Sequence, residues 1–145
     1  TYVVTGDGEL DEGSNWEGLM TIRHYNLTNC ITIVDRNHCM IDGNTEDVMK
    51  LEPLADKFVA FGFHTIVCEG NNIVSLCKAI DEAHKTKDKP TVIVADTIKG
   101  VGIKLTSGNY KWHYGAIDEE MAKVAAKDLD EYSAERIARC GKEFE

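Results

Sequence analysis

Four short strings rich in β-branched residues recur along the chain, each closed by a polar or glycine residue: Tyr2-Val3-Val4-Thr5, Cys30-Ile31-Thr32-Ile33-Val34, Thr65-Ile66-Val67-Cys68 and Thr91-Val92-Ile93-Val94-Ala95. Strings of this kind read as strands. They are apolar throughout rather than alternating, the pattern of strands covered on both faces. Segments with helical spacing lie between them. Asn15 to Leu27 carries Trp16, Leu19, Met20, Arg23, His24 and Leu27 at i, i+3, i+4 intervals. Thr45 to Ala60 places Val48, Leu51, Leu54, Ala55 and Phe58 behind a threonine cap, and Asn72 to His84 follows the third strand. A last helix is expected over Asp118 to Arg139, with Asp118-Glu119-Glu120 at its positive end. Strand, helix, strand with short connectors predicts right-handed βαβ units. The expected fold class is α/β, a parallel β-sheet with helices on both faces.

Ligands of such sheets sit at the carboxyl ends of the strands, so the chemistry should follow the strands. Gly6-Asp7-Gly8 follows the first, Asp35-Arg36-Asn37 the second and Glu69-Gly70 the third. Thr97 to Gly102 follows the fourth and opens a glycine-rich loop, Lys99 to Gly115. Asp35 to Asn44 reads as a polar loop holding the turn Asp42-Gly43. Gly6 and Gly8 permit a tight turn and close backbone approach to a ligand. Asp7 is then a carboxylate displayed at the sheet end. Asn37 stands thirty residues on, at the same end of the next strand. One anionic oxygen, one amide oxygen and a loop carbonyl suit Mg²⁺, an ion often shared with phosphate.

The charge balance leaves a metal ion or backbone amides to hold any anion bound here. Lys plus Arg is 16 against 25 for Asp plus Glu, a net −9. That argues against a nucleic-acid partner, which would call for a basic face. The longest apolar runs, Ile31 to Val34 and Val92 to Ala95, fall far short of the ~20 residues of a membrane span. Five cysteines at irregular spacing, without a CxxC, are expected to be reduced thiols of a cytoplasmic protein. No signal-peptide pattern is visible.

Gly6-Asp7-Gly8 followed by Asp35-Arg36-Asn37 resembles the thiamine-diphosphate motif. The strings GDGELDEGSNWEGL, IVDRNHCMIDG, KPTVIVADTIKGVG and WHYGA resemble transketolase, in the same order and up to about Ile117. The resemblance implies the thiamine-diphosphate-binding fold. Residues 1–145 would be the C-terminal part of its diphosphate (PP) domain, with the upstream half and the pyrimidine domain absent. By position, Asp7 and Asn37 correspond to side-chain ligands of Mg²⁺, and Cys39 to the residue whose backbone carbonyl completes the set. Gly6 and Gly8 would lie against the diphosphate of thiamine diphosphate, and Ile41 would pack on the cofactor. His113 matches the histidine that reaches the diphosphate and active site, and is the catalytic candidate. Glu12 matches an acidic residue near the contact between the two active sites of a dimer.

Some positions depart from the family pattern. Arg36 stands where Asn or Asp is usual, and is expected to point away from the metal, because a cation beside Mg²⁺ is costly at short range. Tyr114 separates His113 from Gly115, and CEGNN lacks the Asp and His that often follow its glycine. His24, His38, His64 and His84 read as structural, and Cys39 is not expected to offer a thiolate to an oxygen-loving metal.

The implied function is that of the diphosphate- and Mg²⁺-anchoring subunit of a transketolase-like transferase, which moves a two-carbon ketol unit between sugars. Activity would require assembly with other subunits, which supply the upstream half and the pyrimidine-binding domain, in a hetero-oligomer. A chain that opens on Thr1 directly before a strand is expected to come from a split enzyme or a longer chain. The alternatives are a 1-deoxyxylulose-phosphate-synthase-like or 2-oxoacid-dehydrogenase-like component, and a non-catalytic cofactor-binding scaffold subunit. ADTIKG and DGNT favour transketolase.

Overall fold

The computed structural model describes residues 1–140. Four strands, β1 (Tyr2–Gly6), β2 (Ile31–Arg36), β5 (His64–Glu69) and β6 (Thr91–Asp96), form one parallel sheet in the order β1-β2-β6-β5. The in-register neighbours include Gly6 and Asp35, Arg36 and Asp96, and Glu69 and Asp96. The carboxyl ends therefore line up, and the residues that follow them share one edge of the molecule.

Helices cover both faces. On one side, α1 (Gly13–His24) and α3 (Leu54–Ala60) bring Leu19, Leu54 and Phe58 onto Val34, Val92 and Val94. Trp16 stacks on Phe58 with ring centroids 5.6 Å apart. On the other side, α4 (Ile73–Lys85) packs Ala79 and Ala83 against Ile31 and Ile93. The Asn72 side chain caps α4 by accepting from Val74 and Ser75 N–H. The final helix, α5 (Glu119–Cys140), begins behind Asp118, whose Oδ1 accepts from Met121 N–H at 2.8 Å. Among the described residues no helix is long and apolar enough to cross a membrane. Cys30, Cys39, Cys68 and Cys77 are free thiols, and the Cys140 side chain lies outside the described set.

Three local expectations change. The first string is not a buried strand: Tyr2, Val3 and Val4 are exposed and Thr5 is buried. β1 is a sheet edge, and α4 lies over β5 and β6 instead. Val67 on the opposite edge strand is likewise exposed. The single helix expected over Thr45 to Ala60 is two, α2 (Thr45–Val48) and α3, because Pro53 has no N–H to give and can only open a helix. The loop Asp35 to Asn44 contains a small hairpin of β3 (Cys39–Met40) and β4 (Gly43–Asn44), turning at Ile41-Asp42.

Candidate functional site

The sheet end gathers the chemistry. Gly6 closes β1, and its N–H donates to Glu9 Oε2 at 3.0 Å. Asp7 N–H donates to Asp35 O at 3.1 Å, which ties the turn to the end of β2. The Asp7 side chain is 1% exposed. Its Oδ1 accepts from Gly8 N–H at 2.8 Å, and its Oδ2 accepts from His38 N–H at 2.7 Å and from Arg36 Nη1 at 2.8 Å.

That last contact gives Arg36 a partner that repulsion from a metal does not supply. The guanidinium sits on Asp7 Oδ2, while Oδ1 accepts from Gly8 N–H. Without a partner, a buried Asp7 would be an uncompensated charge, and Arg36, itself 2% exposed, neutralises it. The remaining N–H groups of Arg36 reach Thr45 Oγ1 at 2.6 Å, Glu46 Oε1 at 2.8 Å and Glu52 Oε1 at 2.9 and 3.2 Å. Burial works against the Arg36 charge, but the hydrogen bonds to Asp7 and Glu52 outweigh it and raise the group above its ordinary value. The non-helical stretch between α2 and α3 thus serves the site, since Glu46, in α2, and Glu52, just before α3, meet the same guanidinium.

Asn37 is oriented from both ends. Its Nδ2 donates to Asp35 Oδ2 at 3.1 Å, and its Oδ1 accepts from Cys39 N–H at 3.1 Å. Asp35 is held in turn by the Thr97 hydroxyl. Cys39 is buried, and burial pushes its thiol up, partly opposed by Lys99. A neutral thiol is a poor ligand for a hard cation, in keeping with a role for the backbone alone. His38 adopts φ 63°, and its Nε2 pairs with Asp96 Oδ1 at 2.8 Å. His64 pairs with Glu82 and His84 with Tyr2, while the His24 ring meets Tyr25.

A cavity of about 420 Å³ opens here. Every site residue read from the sequence lines it: Gly6, Asp7, Gly8, Glu12, Asn37, Cys39, Ile41 and His113. Glu12 and Ile41 are exposed at its rim. Gly8 meets close quarters from an unexpected side, since a Cβ there would sit 2.9 Å from the Met40 Cβ. His113 ends a 3₁₀ turn, Tyr110–His113, and is exposed. Sequence reasoning missed Glu9, Met40, Asp42 and Lys99 as lining of the same cavity. Lys99 carried a usable signal, as a cation three residues past the end of β6. Asp42 lay in the turn Asp42-Gly43 that the sequence offered, whereas Met40 carried no signal, because the hairpin that presents it has the composition of a loop.

Among the described residues no group of three or more His, Cys, Asp or Glu side chains could hold a metal. The site offers instead a carboxylate oxygen, Asp7 Oδ1, and an amide oxygen, Asn37 Oδ1, each accepting from one backbone N–H. Two hard oxygens beside open space fit a cation that completes its shell with water and phosphate, as Mg²⁺ does.

A parallel sheet with its carboxylate and amide donors at the ends of adjacent strands defines an α/β ligand-binding domain. The chain belongs to the transketolase family: residues 1–134 match the transketolase thiamine diphosphate binding domain. It is 40% identical over 128 residues to an apulose-4-phosphate transketolase subunit of Actinobacillus succinogenes, covering 88% of this chain and 46% of that protein. It is 38% identical over 133 residues to 6-deoxy-6-sulfo-D-fructose transketolase subunit SqwG of a Clostridium species, covering 92% of this chain and 48% of that protein. The fold matches transketolase from Campylobacter jejuni with a TM-score of 0.81 at 30% identity, over 89% of this chain and 20% of that one. The chain spans about half the length of these two curated relatives.

Proposed function

We propose that this chain anchors the diphosphate of thiamine diphosphate, through Mg²⁺, in a transketolase-type enzyme that moves a two-carbon ketol unit from a ketose to an aldose. The observation that carries this reading is the convergence of Asp7, Asn37, Cys39 and His113 on one cavity at the sheet end. Asp7 Oδ1, Asn37 Oδ1 and the Cys39 carbonyl would hold the metal. The carbon–carbon chemistry is supplied by bound thiamine diphosphate. The share of this chain is position: a diphosphate fixed by rigid donors sets where the reactive ring lies against the substrate. Lys99 adds positive charge to the same cavity, in a chain with few basic groups to spare. His113, exposed on its turn, can donate to a diphosphate oxygen or move a proton at a substrate oxygen.

Two relatives are named as subunits, which supports an enzyme that works only when assembled with partner chains bearing the pyrimidine-binding domain. Glu12, exposed at the cavity rim, would face such a partner. The same relatives are named for a sugar phosphate and a sulfo-sugar, which supports a sugar as substrate. The test is a ketol-transfer assay on the assembled enzyme, with a panel of ketose donors and aldose acceptors. Transfer that requires both thiamine diphosphate and Mg²⁺ is expected. Cofactor binding without transfer from any donor would overturn the transketolase assignment, and failure to bind the cofactor would overturn the anchoring role.

A further inference from the structure

The geometry points to Arg36 as the positioning residue that makes Asp7 a one-oxygen ligand: by occupying Oδ2, it leaves Oδ1 as the sole oxygen Asp7 can offer a cation. The inference rests on the reading that Asp7 holds a divalent metal, and adds what fixes its coordination.

An ionised carboxylate has roughly four lone-pair sites, two on each oxygen. Asp7 Oδ2 uses both, one for Arg36 Nη1 at 2.8 Å and one for His38 N–H at 2.7 Å. Oδ1 accepts from Gly8 N–H at 2.8 Å, which leaves one site. A cation can therefore take Oδ1 without breaking any contact, whereas a two-oxygen mode has to displace a buried donor.

Arg36 is poorly placed to yield. It is 2% exposed, and its five N–H groups are all engaged, by Asp7, Thr45, Glu46 and Glu52. Thr45 is itself fully buried. The carboxylates on its far side are fixed by the backbone, Glu46 by Leu51 N–H at 3.1 Å and Glu52 by Leu54 N–H at 2.8 Å. The clamp thus runs from the α2–α3 connection to the metal carboxylate. Lysine cannot reproduce it, because one ammonium cannot span Asp7, Thr45 and two glutamates as a planar fork does. Partners of this kind, which fix the orientation of a metal ligand, typically govern metal affinity by about 10- to 100-fold.

The direct test is a crystal structure of the assembled wild-type enzyme with thiamine diphosphate and Mn²⁺ in place of Mg²⁺. The expected result is Mn²⁺ on Asp7 Oδ1 alone, with Arg36 still on Oδ2. Mn²⁺ on both oxygens, or Arg36 turned away, would overturn the proposal. In solution, Mn²⁺ titrations followed by electron paramagnetic resonance should give Arg36→Lys a dissociation constant raised by about 10- to 100-fold. A lower Tm with unchanged Mn²⁺ affinity would make Arg36 merely structural and overturn the proposal. Asp7→Asn separates the two levels, because unchanged affinity there would sink the ligand reading itself. If Arg36→Lys does not fold, the wild-type coordination geometry still decides.

Discussion

The two walls of the cavity are built in opposite ways. On one, Asp7 is buried and held from behind by Arg36, which is itself buried and donates to the buried Thr45 hydroxyl. On the other, Lys99 and His113 stand on the segment that follows β6, and the exposed His113 ring meets Tyr114 edge-on at 6.5 Å. That segment is closed on itself: Gly108 N–H donates to Lys99 O at 2.8 Å, and Thr106 bonds to Gly100 O. Gly100 is at φ 64°, and a Cβ there would sit 2.7 Å from Thr106 Oγ1. Under the proposed function, the contrast separates two tasks. Donors that hold a charged ligand gain from being pre-set, because they need no reorganisation when it arrives. A group that serves a reacting centre must reach it and let product leave, and such groups sit on less deeply packed segments.

The sharpest way to break this comparison is on the buried wall. Asp7→Ala should remove metal-dependent cofactor retention and destabilise the fold by about 3 kcal/mol, because it takes one partner from a buried ion pair. Calorimetric titration and a urea midpoint read the two effects. Unchanged values in both would reduce the Gly-Asp-Gly turn to a structural feature. On the exposed wall the effect should divide differently. His113→Ala is expected to lower kcat of the assembled enzyme by roughly 10- to 10³-fold, the range of a general acid–base term. Cofactor affinity should weaken only modestly. Steady-state kinetics at saturating cofactor is the check, and a wild-type kcat would remove His113 from the active site. Asn37→Ala should resemble Asp7→Ala in kind and be milder, since it deletes a neutral ligand and leaves no buried charge; the same calorimetric titration ranks them.

The smallest effect belongs to the outer rim of the Arg36 cluster. Glu52 is held below the usual carboxylate range, first by the Leu54 backbone N–H, against its own desolvation, with Arg36 adding to the effect. A carboxylate depressed on folding stabilises the fold above its unfolded pKa, near about 4.3. The contribution fades as pH falls through the lowered folded value. The Glu52 side chain is 52% exposed, so solvent screening keeps this to about 0.5 kcal/mol or less. Glu52→Gln should flatten the acid limb of stability against pH by that amount, and an unchanged acid limb would remove Glu52 from the cluster.

The sequence carried the sheet because four apolar strings and their intervening helical patterns left little alternative. It brought Asp7 and Asn37 to one cavity because both are tied to strand ends, and strand ends are easy to place. What it hid depended on long-range neighbours. Tyr2-Val3-Val4 has the composition of a central strand, and its edge position follows only from the order β1-β2-β6-β5. Pro53 is visible in the sequence, yet the meeting of Glu46 and Glu52 on one guanidinium across the stretch before it needs the fold. The expectation for Arg36 rests on its repulsion toward a metal alone. The attraction that decides its place comes from Asp7, Glu46 and Glu52, which are 29, 10 and 16 residues away.

The central claim is that the buried wall anchors the cofactor through a metal while the exposed wall serves the reaction. It is tested most directly by titrating thiamine diphosphate calorimetrically into the assembled enzyme, in Mg²⁺ and in EDTA, for the wild type, Asp7→Ala and His113→Ala. The account predicts binding in Mg²⁺ for the wild type and His113→Ala, and its loss in EDTA and in Asp7→Ala. Binding that persists in EDTA, or that survives Asp7→Ala and fails in His113→Ala, would contradict it.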